Sequence, residues 1–280
     1  LLIQHENKIN EFEPEYSFDI QGDFKDLEKS EFIFSRQPEE LDEDYIKLMF
    51  KKFHKDRLFK VDKNIVSTEK SYPEKPFITS SLQQTSQNLL GFNVKKTMGI
   101  AQKLYENGKI TYMRTDSTFI SADFKETIKR KVEETYGPEY YRSHKPKKVK
   151  GSQDAHECIR PTDINCVLSD KYEENDIKLY NLIMKRTITS HMKPAIYDVC
   201  KINLTNEITK HIGFFQGVGK ALTFEGFLKY TDTELEEVIS FDTIKRCHLI
   251  ESIIKETESN PPQDYNESTI VKKLESSGVG

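Results

Sequence analysis

The 280-residue sequence predicts a multi-domain α and β protein in which a helical, helix-turn-helix-like segment is inserted into a discontinuous β-rich domain. Three features carry that expectation. Short runs of alternating hydrophobicity near both ends read as strands, and the period turns helical between Phe77 and Ala195. Prolines stand at both changes of period, Pro73 and Pro76 on one side and Pro194 on the other. With 36% hydrophobic and 11% aromatic residues, the chain has enough apolar side chain to bury more than one core.

Taken in order, Leu1 to Phe12 places Leu2, His5, Ile9 and Phe12 on one helical face, with neither an initiator Met nor an N-cap before it. The sequence is therefore expected to be a piece of a longer chain. Tyr16–Ile20 and Glu31–Phe34 read as strands, Asp42 or Asp44 caps a helix to about His54, and Leu58–Val66 reads as another strand. Beyond the break at Ser71–Pro76, Ser80 or Ser81 caps a helix to Leu90. Gly91 to Asn93 then turns, and Asn93 caps a second helix over Val94–Asn107 that Gly108 closes. Two helices around a short Gly-containing turn have helix-turn-helix spacing. The stretch "KITYMRT" (Lys109–Thr115) is expected to be extended, and Ser121 to cap a helix that runs to Tyr136 and stops at Gly137 and Pro138. Residues 142–157 form a loop rich in Lys, Ser and Gly, and Glu174–His191 is the last helix of the insert. Strands follow at Ile196–Leu204, Lys210–Phe215, Ala221–Tyr230 and Arg246–Lys255, and Ser268–Gly278 is a short amphipathic helix with a glycine stop.

The net charge of −4 conceals an asymmetry. Between Phe77 and Ala195 there are 20 Lys and Arg against 14 Asp and Glu, a local +6 inside a remainder of −10. A basic segment of that kind can hold a polyanion even in an acidic molecule, and a merely solvated lysine-rich surface has the same composition. Cys158, Cys166, Cys200 and Cys247 show no metal-ligand or disulfide spacing, which fits a reducing compartment. No apolar run is long enough to cross a bilayer and no signal-like segment is present, so a cytoplasmic, nucleoid or nuclear location is expected. "GVGK" at Gly217–Lys220 lacks the glycine spacing and the hydroxyl residue of a phosphate loop.

Two constellations carry chemistry. In "ITYMRTDS" (Ile110–Ser117), Tyr112 and Arg114 are two residues apart, which on an extended backbone puts a phenol and a guanidinium on one face. A phenol is a poor nucleophile until a cation assists it, and a guanidinium can also fork onto a phosphate. The choice of Arg is informative in a chain with 34 lysines and 8 arginines, although a core Tyr beside a surface Arg satisfies the same pattern. The second constellation is "SQDAHECIRPT" (Ser152–Thr162), where His156, Glu157 and Arg160 lie in the basic segment. Whether it is part of one site with Tyr112 or only a polar loop depends on their separation in space, which spacing in sequence does not give.

"PFITSSLQQ" (Pro76–Gln84), "ITYMRTDS" and "DAHECIRPT" (Asp154–Thr162), in this order, resemble the signature blocks of type IA DNA topoisomerases. "PPQDYNESTIVKKLESSGVG" (Pro261–Gly280) resembles the segment that opens the return into that family's DNA-gripping domain. The resemblance implies that residues 1–16 end the DNA-gripping helical domain, that 17–75 and 196–260 form the strand-rich arch, that 76–195 form the helical domain bearing the active-site tyrosine, and that 261–280 begin the return. It further implies that Tyr112 attacks DNA and becomes linked to a 5′ phosphate, that Arg114 positions and stabilises the scissile phosphate, and that His156 assists there. Arg114, Thr115, His156 and Arg160 are the DNA-binding residues it implies. The partner would be DNA, mainly single-stranded segments, the enzyme a monomer off the membrane, and the reaction ATP-independent.

Measured against that family, an acidic magnesium-binding Toprim domain and a Gly-Arg-containing strand-binding segment are expected ahead of this region and are not among these 280 residues. Magnesium is implied by the resemblance, with ligands expected outside these residues and none within them. Asp264 stands where the family usually has Arg, and the sequence stops before an expected Arg-Pro-Ser-Thr run. Both departures are expected to weaken single-strand binding, and the 280 residues alone to relax DNA poorly or not at all. The alternatives are a non-catalytic helical module that binds DNA through the helical pair and the Lys-rich loop 145–150, and a recombinase- or relaxase-like tyrosine enzyme.

Overall fold

The computed structural model describes the chain except for residues 1, 26, 35–42, 54, 144–155, 236–240, 242–243 and 279–280. The expected Lys-rich loop 145–150, Asp42, His54 and Asp154 lie outside the described residues. The chain forms two compact units, one of residues 1–69, 196–224 and 235–264, the other of residues 70–195, 225–234 and 265–280. Their borders fall at 69/70 and 195/196, against sequence-based borders at 75/76 and 195/196. Residues 225–234 and 265–280 group with the helical unit.

The strand unit is a closed barrel in the order β1-β2-β5-β4-β3-β6, with β1 at Tyr16–Phe24, β2 at Leu27–Phe34, β3 at Leu58–Ser71, β4 at Ala195–Thr205, β5 at Gly213–Phe224 and β6 at Arg246–Glu258. Helices α1 (Leu2–Asn10) and α2 (Glu43–Phe53) belong to the same unit. Closure gives each of the six described strands a neighbour on both sides. Sequence reading divides β5 into two strands, at Lys210–Phe215 and Ala221–Tyr230; the structure corrects this to one. Gly217 and Gly219 pair with Ile202 and Cys200 on β4 and occupy buried alternate positions rather than a turn. Lys210 instead lies in a turn where the Asn206 carboxamide oxygen accepts the N–H groups of Ile208 and Thr209, and residues 226–231 form a 3-10 stretch.

The barrel interior is organised by aromatic rings. Phe215 meets Phe32, Phe24, Phe59 and Phe53 at centroid distances of 4.8, 5.2, 5.4 and 5.5 Å, all edge-on. That geometry puts the positive edge of one ring on the negative face of the next. Gly22 lies against this cluster because a Cβ there would come within 2.8 Å of Phe215 Cε1 and 3.0 Å of Leu249 Cδ1.

The helical unit contains α3 (Thr79–Leu90), α4 (Val94–Glu106), α5 (Ala122–Tyr136), α6 (Glu174–Thr189) and α7 (Glu267–Ser276). Asn93 caps α4 as expected, its Oδ1 accepting the Lys96 N–H at 2.8 Å. Ser80 and Ser81 do not cap α3. Ile78 holds the N-cap position, and Ser81 reaches back to accept the Ile78 N–H at 3.0 Å. Ser121 holds the N-cap position of α5 without a capping bond from its side chain. Asp176, buried at the start of α6, is satisfied by Lys103 Nζ of α4 at 2.6 Å and by the Glu173 N–H at 3.1 Å. At the end of α4, Gly108 (φ 64°) donates to the Tyr105 carbonyl and Lys109 to the Leu104 carbonyl, each at 2.8 Å. This paired closure uses the left-handed conformation that glycine adopts freely and turns the chain sharply into Ile110–Ser117.

Gly22→Ala is expected to destabilise the barrel by about 1–3 kcal/mol, the usual cost of an overpacked core. In a Phe215→Leu background the same change should cost less, because the ring edge it strikes is gone. Urea unfolding of the four proteins measures both costs, and equal values would remove Phe215 as the obstacle.

Candidate active site

The three quoted blocks are sewn together by main-chain hydrogen bonds. Ile159 and Phe77 form one antiparallel bridge and Pro161 and Ile110 another. The Ile159 N–H donates to the Phe77 carbonyl at 2.8 Å, the Thr111 N–H to Arg160 at 2.9 Å, and the Thr162 N–H to Lys109 at 3.0 Å. Beneath these bonds Phe77, Ile110, Met113 and Ile159 are buried in one core with Leu82, Leu104 and Leu179. The loop that follows His156 is therefore in contact with the segment that carries Tyr112, which sequence spacing alone leaves undecided.

Two threonine hydroxyls reinforce the seam. Thr111 Oγ1 donates to the Cys158 carbonyl at 2.7 Å and accepts the Arg160 N–H at 3.0 Å. Thr79, the first residue of α3, donates its hydroxyl to the Met113 carbonyl and accepts the Thr115 N–H, both at 2.8 Å. Burial of Cys158 pushes its thiol pKa up to about 12, so that side chain is a neutral packing group while its carbonyl serves the seam.

The expected extended run is not a regular strand. Ile110 makes a single bridge, and the chain bends at Thr111 and Met113. Burial nonetheless alternates from there on, with Met113 and Thr115 inward and Tyr112, Arg114 and Asp116 exposed. Tyr112 is 44% exposed, its ring set edge-on to Tyr105 at 5.2 Å between centroids. Among the described residues, the Tyr112 hydroxyl, the Arg114 guanidinium and the His156 imidazole have no hydrogen-bond or ion-pair partner, and His156 is also exposed.

Thr115 and Arg160 are placed differently. Thr115 is nearly buried, and its hydroxyl accepts the Ser117 N–H at 3.1 Å. Arg160 has an 11% exposed side chain that donates to Glu157 Oε2 at 2.5 Å and to the Pro161 carbonyl at 3.0 Å, with its guanidinium 3.8 Å from the Phe124 ring centroid. Its buried Nε has no hydrogen-bond partner among the described residues, and contact with the ring face partly offsets that deficit. Glu157 Oε1 accepts the Ser121 N–H at 2.7 Å, so a loop carboxylate sits at the start of α5 where the Ser121 side chain leaves the end uncapped. An anion there is also favoured by the helix dipole. Burial opposes charge on Glu157, but the Ser121 N–H and the Arg160 guanidinium outweigh it and hold the carboxyl below its usual range.

Sequence reading names Glu157 only as the carboxylate beside His156 and leaves Thr79 aside; the structure makes Thr79 a fastener of residues 113–115 and Glu157 the anchor of the His156 loop. Both stand inside the quoted blocks, but their partners are 36 residues away, beyond the reach of local periodicity. Among the described residues no group of three or more His, Cys, Asp and Glu side chains is placed to hold a metal ion. Nor, among them, is any helix long and apolar enough to cross a membrane.

Residues 1–280 match the family model described as DNA topoisomerase. The chain belongs to the DNA topoisomerase family. It is 35% identical to DNA topoisomerase 1 of Rickettsia bellii, aligning over all of this chain and 38% of that protein. It is 32% identical to DNA topoisomerase 1 of Campylobacter jejuni, over all of this chain and 42% of the relative. The structure of full-length topoisomerase I from Thermotoga maritima superposes with a TM-score of 0.82 and 32% identity, covering all of this chain and 47% of that one. This topoisomerase-family chain thus spans about two fifths of the length of the curated relatives it matches, and its mixed α/β fold resembles a topoisomerase I.

The Glu157 anchor has a pH signature. Its folded pKa lies below the unfolded one, so its stabilising contribution is complete above the unfolded carboxylate range and is lost as pH falls through the folded value. Glu157→Gln is expected to lower unfolding free energy at pH 7 by about 1.5–3 kcal/mol, the worth of hydrogen bonds to a charged group. The gap from wild type should close below about pH 4, where unfolded carboxylates take up protons. A gap that does not vary with pH would show that the charge plays no part.

Proposed function

We propose that this chain carries the strand-cleaving centre of a type IA DNA topoisomerase that acts without ATP, mainly on single-stranded segments, as a monomer. The single observation that supports it most is the contrast within "ITYMRTDS": the backbone is fastened from both sides, while the phenol of Tyr112 and the guanidinium of Arg114 are exposed and without partners among the described residues. On this reading the helical unit serves as the tyrosine domain, the barrel belongs to the arch, and residues 261–280 begin the return into the DNA-gripping domain.

In the proposed step the Tyr112 oxygen attacks the phosphorus of a phosphodiester. A bond forms between that oxygen and phosphorus, the bond from phosphorus to the 3′ oxygen breaks, the phenolic proton departs, and the 3′ oxygen leaves as a hydroxyl. One phosphodiester replaces another of similar energy, so the break reverses when the 3′ hydroxyl attacks the phosphotyrosine. Arg114 balances charge on the phosphoryl oxygens as they crowd in the transition state. His156, exposed on the loop joined to Thr111, assists at the same phosphate. We assign Thr115 and Arg160 to the scaffold that holds these groups, since their polar atoms serve intramolecular bonds.

Incubation of the intact protein with a single-stranded oligonucleotide, followed by denaturation, should trap a protein–DNA adduct on the 5′ phosphate that Tyr112→Phe abolishes. Arg114→Ala should slow adduct formation by about 100- to 1,000-fold, the scale of losing one donor to a developing oxyanion. A non-catalytic binding module gives no adduct with either phenol or phenyl at position 112, and a link to a 3′ phosphate would point to recombinase chemistry instead.

A further inference from the structure

We propose that the Thr79 hydroxyl is the positioning group for Arg114, setting the direction in which the guanidinium meets the phosphate. The inference rests on the strand-cleavage reading above and concerns a residue that does not itself touch DNA.

Thr79 Oγ1 is one atom with bonds to both neighbours of Arg114 in sequence, donating to the Met113 carbonyl and accepting the Thr115 N–H at 2.8 Å each. The Thr79 main-chain N–H adds a third bond, to the Thr115 carbonyl at 2.9 Å. The peptide groups on either side of Arg114 are therefore tied to the first turn of α3. The other side of Tyr112 is held in the same way, through the Thr111 hydroxyl to Cys158 and Arg160. A hydroxyl can give and accept a hydrogen bond from a single small atom, which neither an amide nor an alkyl group does in that volume.

The Met113 side chain is almost fully buried, so the segment stays in place without the fastener. What the hydroxyl controls is the orientation of the main chain between two buried residues, and with it the outward path of the exposed Arg114 side chain. Small errors of aim at a reacting phosphate cost far more in rate than in binding. Binding draws on charge spread over many contacts, so it should tolerate the change.

The test compares wild type, Thr79→Val, Thr79→Ala and Thr79→Ser in the intact protein. Its readouts are the rate of Tyr112-linked adduct formation on a single-stranded oligonucleotide and the Kd for the same oligonucleotide measured in the Tyr112→Phe background, where it is not cleaved. Val and Ala are expected to slow adduct formation by about 10- to 100-fold, the scale of a small misplacement of a catalytic group. Affinity should stay within about twofold, because phosphate contacts elsewhere set it, and Ser should restore the rate. In an Arg114→Ala background, Thr79→Val should produce no further loss, since the group it aims is absent. Wild-type rates in Val and Ala, a loss that Ser does not restore, or a loss that multiplies with that of Arg114→Ala would each overturn the assignment. Ala serves if the extra methyl of Val prevents folding. Failure of the underlying reading looks different, because wild type itself would then form no adduct that depends on Tyr112.

Discussion

The candidate site depends on a short antiparallel contact in which Lys109–Thr111 lies against Arg160–Thr162, with the Thr111 hydroxyl bonded to Cys158 and Arg160. It joins segments about fifty residues apart, so forming it costs loop-closure entropy that grows only slowly with loop length. Burial supplies the return: Phe77, Ile110, Met113 and Ile159 leave water together, at about 1.5–3 kcal/mol for each large side chain fully buried. The polar bonds select the register, and the apolar side chains provide the stability. Separate roles of this kind suit a site, because bonds that fix direction need not also hold the fold together.

Arginine use within the helical unit refines the argument from composition. In a chain with 34 lysines and 8 arginines, each Arg invites a functional explanation. Arg160 and Arg186 show a second use for the guanidinium. Arg186 lies 4.2 Å from the Phe77 ring centroid and donates to the Lys75 carbonyl and the Thr85 hydroxyl, and burial lowers its pKa. Both cover an aromatic face of the core while their forks satisfy nearby oxygens, which the single compact charge of lysine does less well. Scarcity therefore marks where planar geometry is needed, and exposure without a partner separates Arg114 from the other two.

Much of the helical unit was legible from local signals, since α4 begins at Asn93 and closes through Gly108 where capping rules put those events. The start of α3 was misread for a physical reason. A serine near a helix start looks like a cap, but Ser81 stands at the third helical position and bonds backward, while Thr79 spends its hydroxyl on Met113 and Thr115. β5 replaces the two strands expected at Lys210–Phe215 and Ala221–Tyr230 because Gly217 and Gly219 add no hydrophobic side chain to the alternation, and only pairing with β4 shows that small residues occupy its inward face. Closure of the barrel through β1 and β6 joins Tyr16 to Glu258, a pairing with no local signature. The site divides along the same line: Tyr112, Arg114, His156 and Glu157 are singled out by their chemistry in the sequence, whereas the role of Thr79 and the Ser121 partner of Glu157 come from contacts made at a distance.

A reversible exchange of one phosphodiester for another asks little of a protein in driving force and much in alignment. The proposed chemistry therefore requires reacting side chains that keep their polar atoms uncommitted, on a backbone with few remaining degrees of freedom. Residues 110–117 answer to that requirement. Arg160 takes up the Thr111 N–H, Thr79 takes up the Met113 carbonyl and both main-chain groups of Thr115, and the Thr111 hydroxyl is bonded to Cys158, while the phenol and the guanidinium extend outward with no internal partner among the described residues. A tyrosine merely stabilising the fold would be expected to spend its hydroxyl as Tyr140 and Tyr180 do, on Glu225 and on the Cys166 carbonyl. Burial raises the pKa of both those phenols and makes them poorer sources of phenolate. Tyr112 differs from them in exposure and in bonding, and those are the two properties that attack on a phosphate demands.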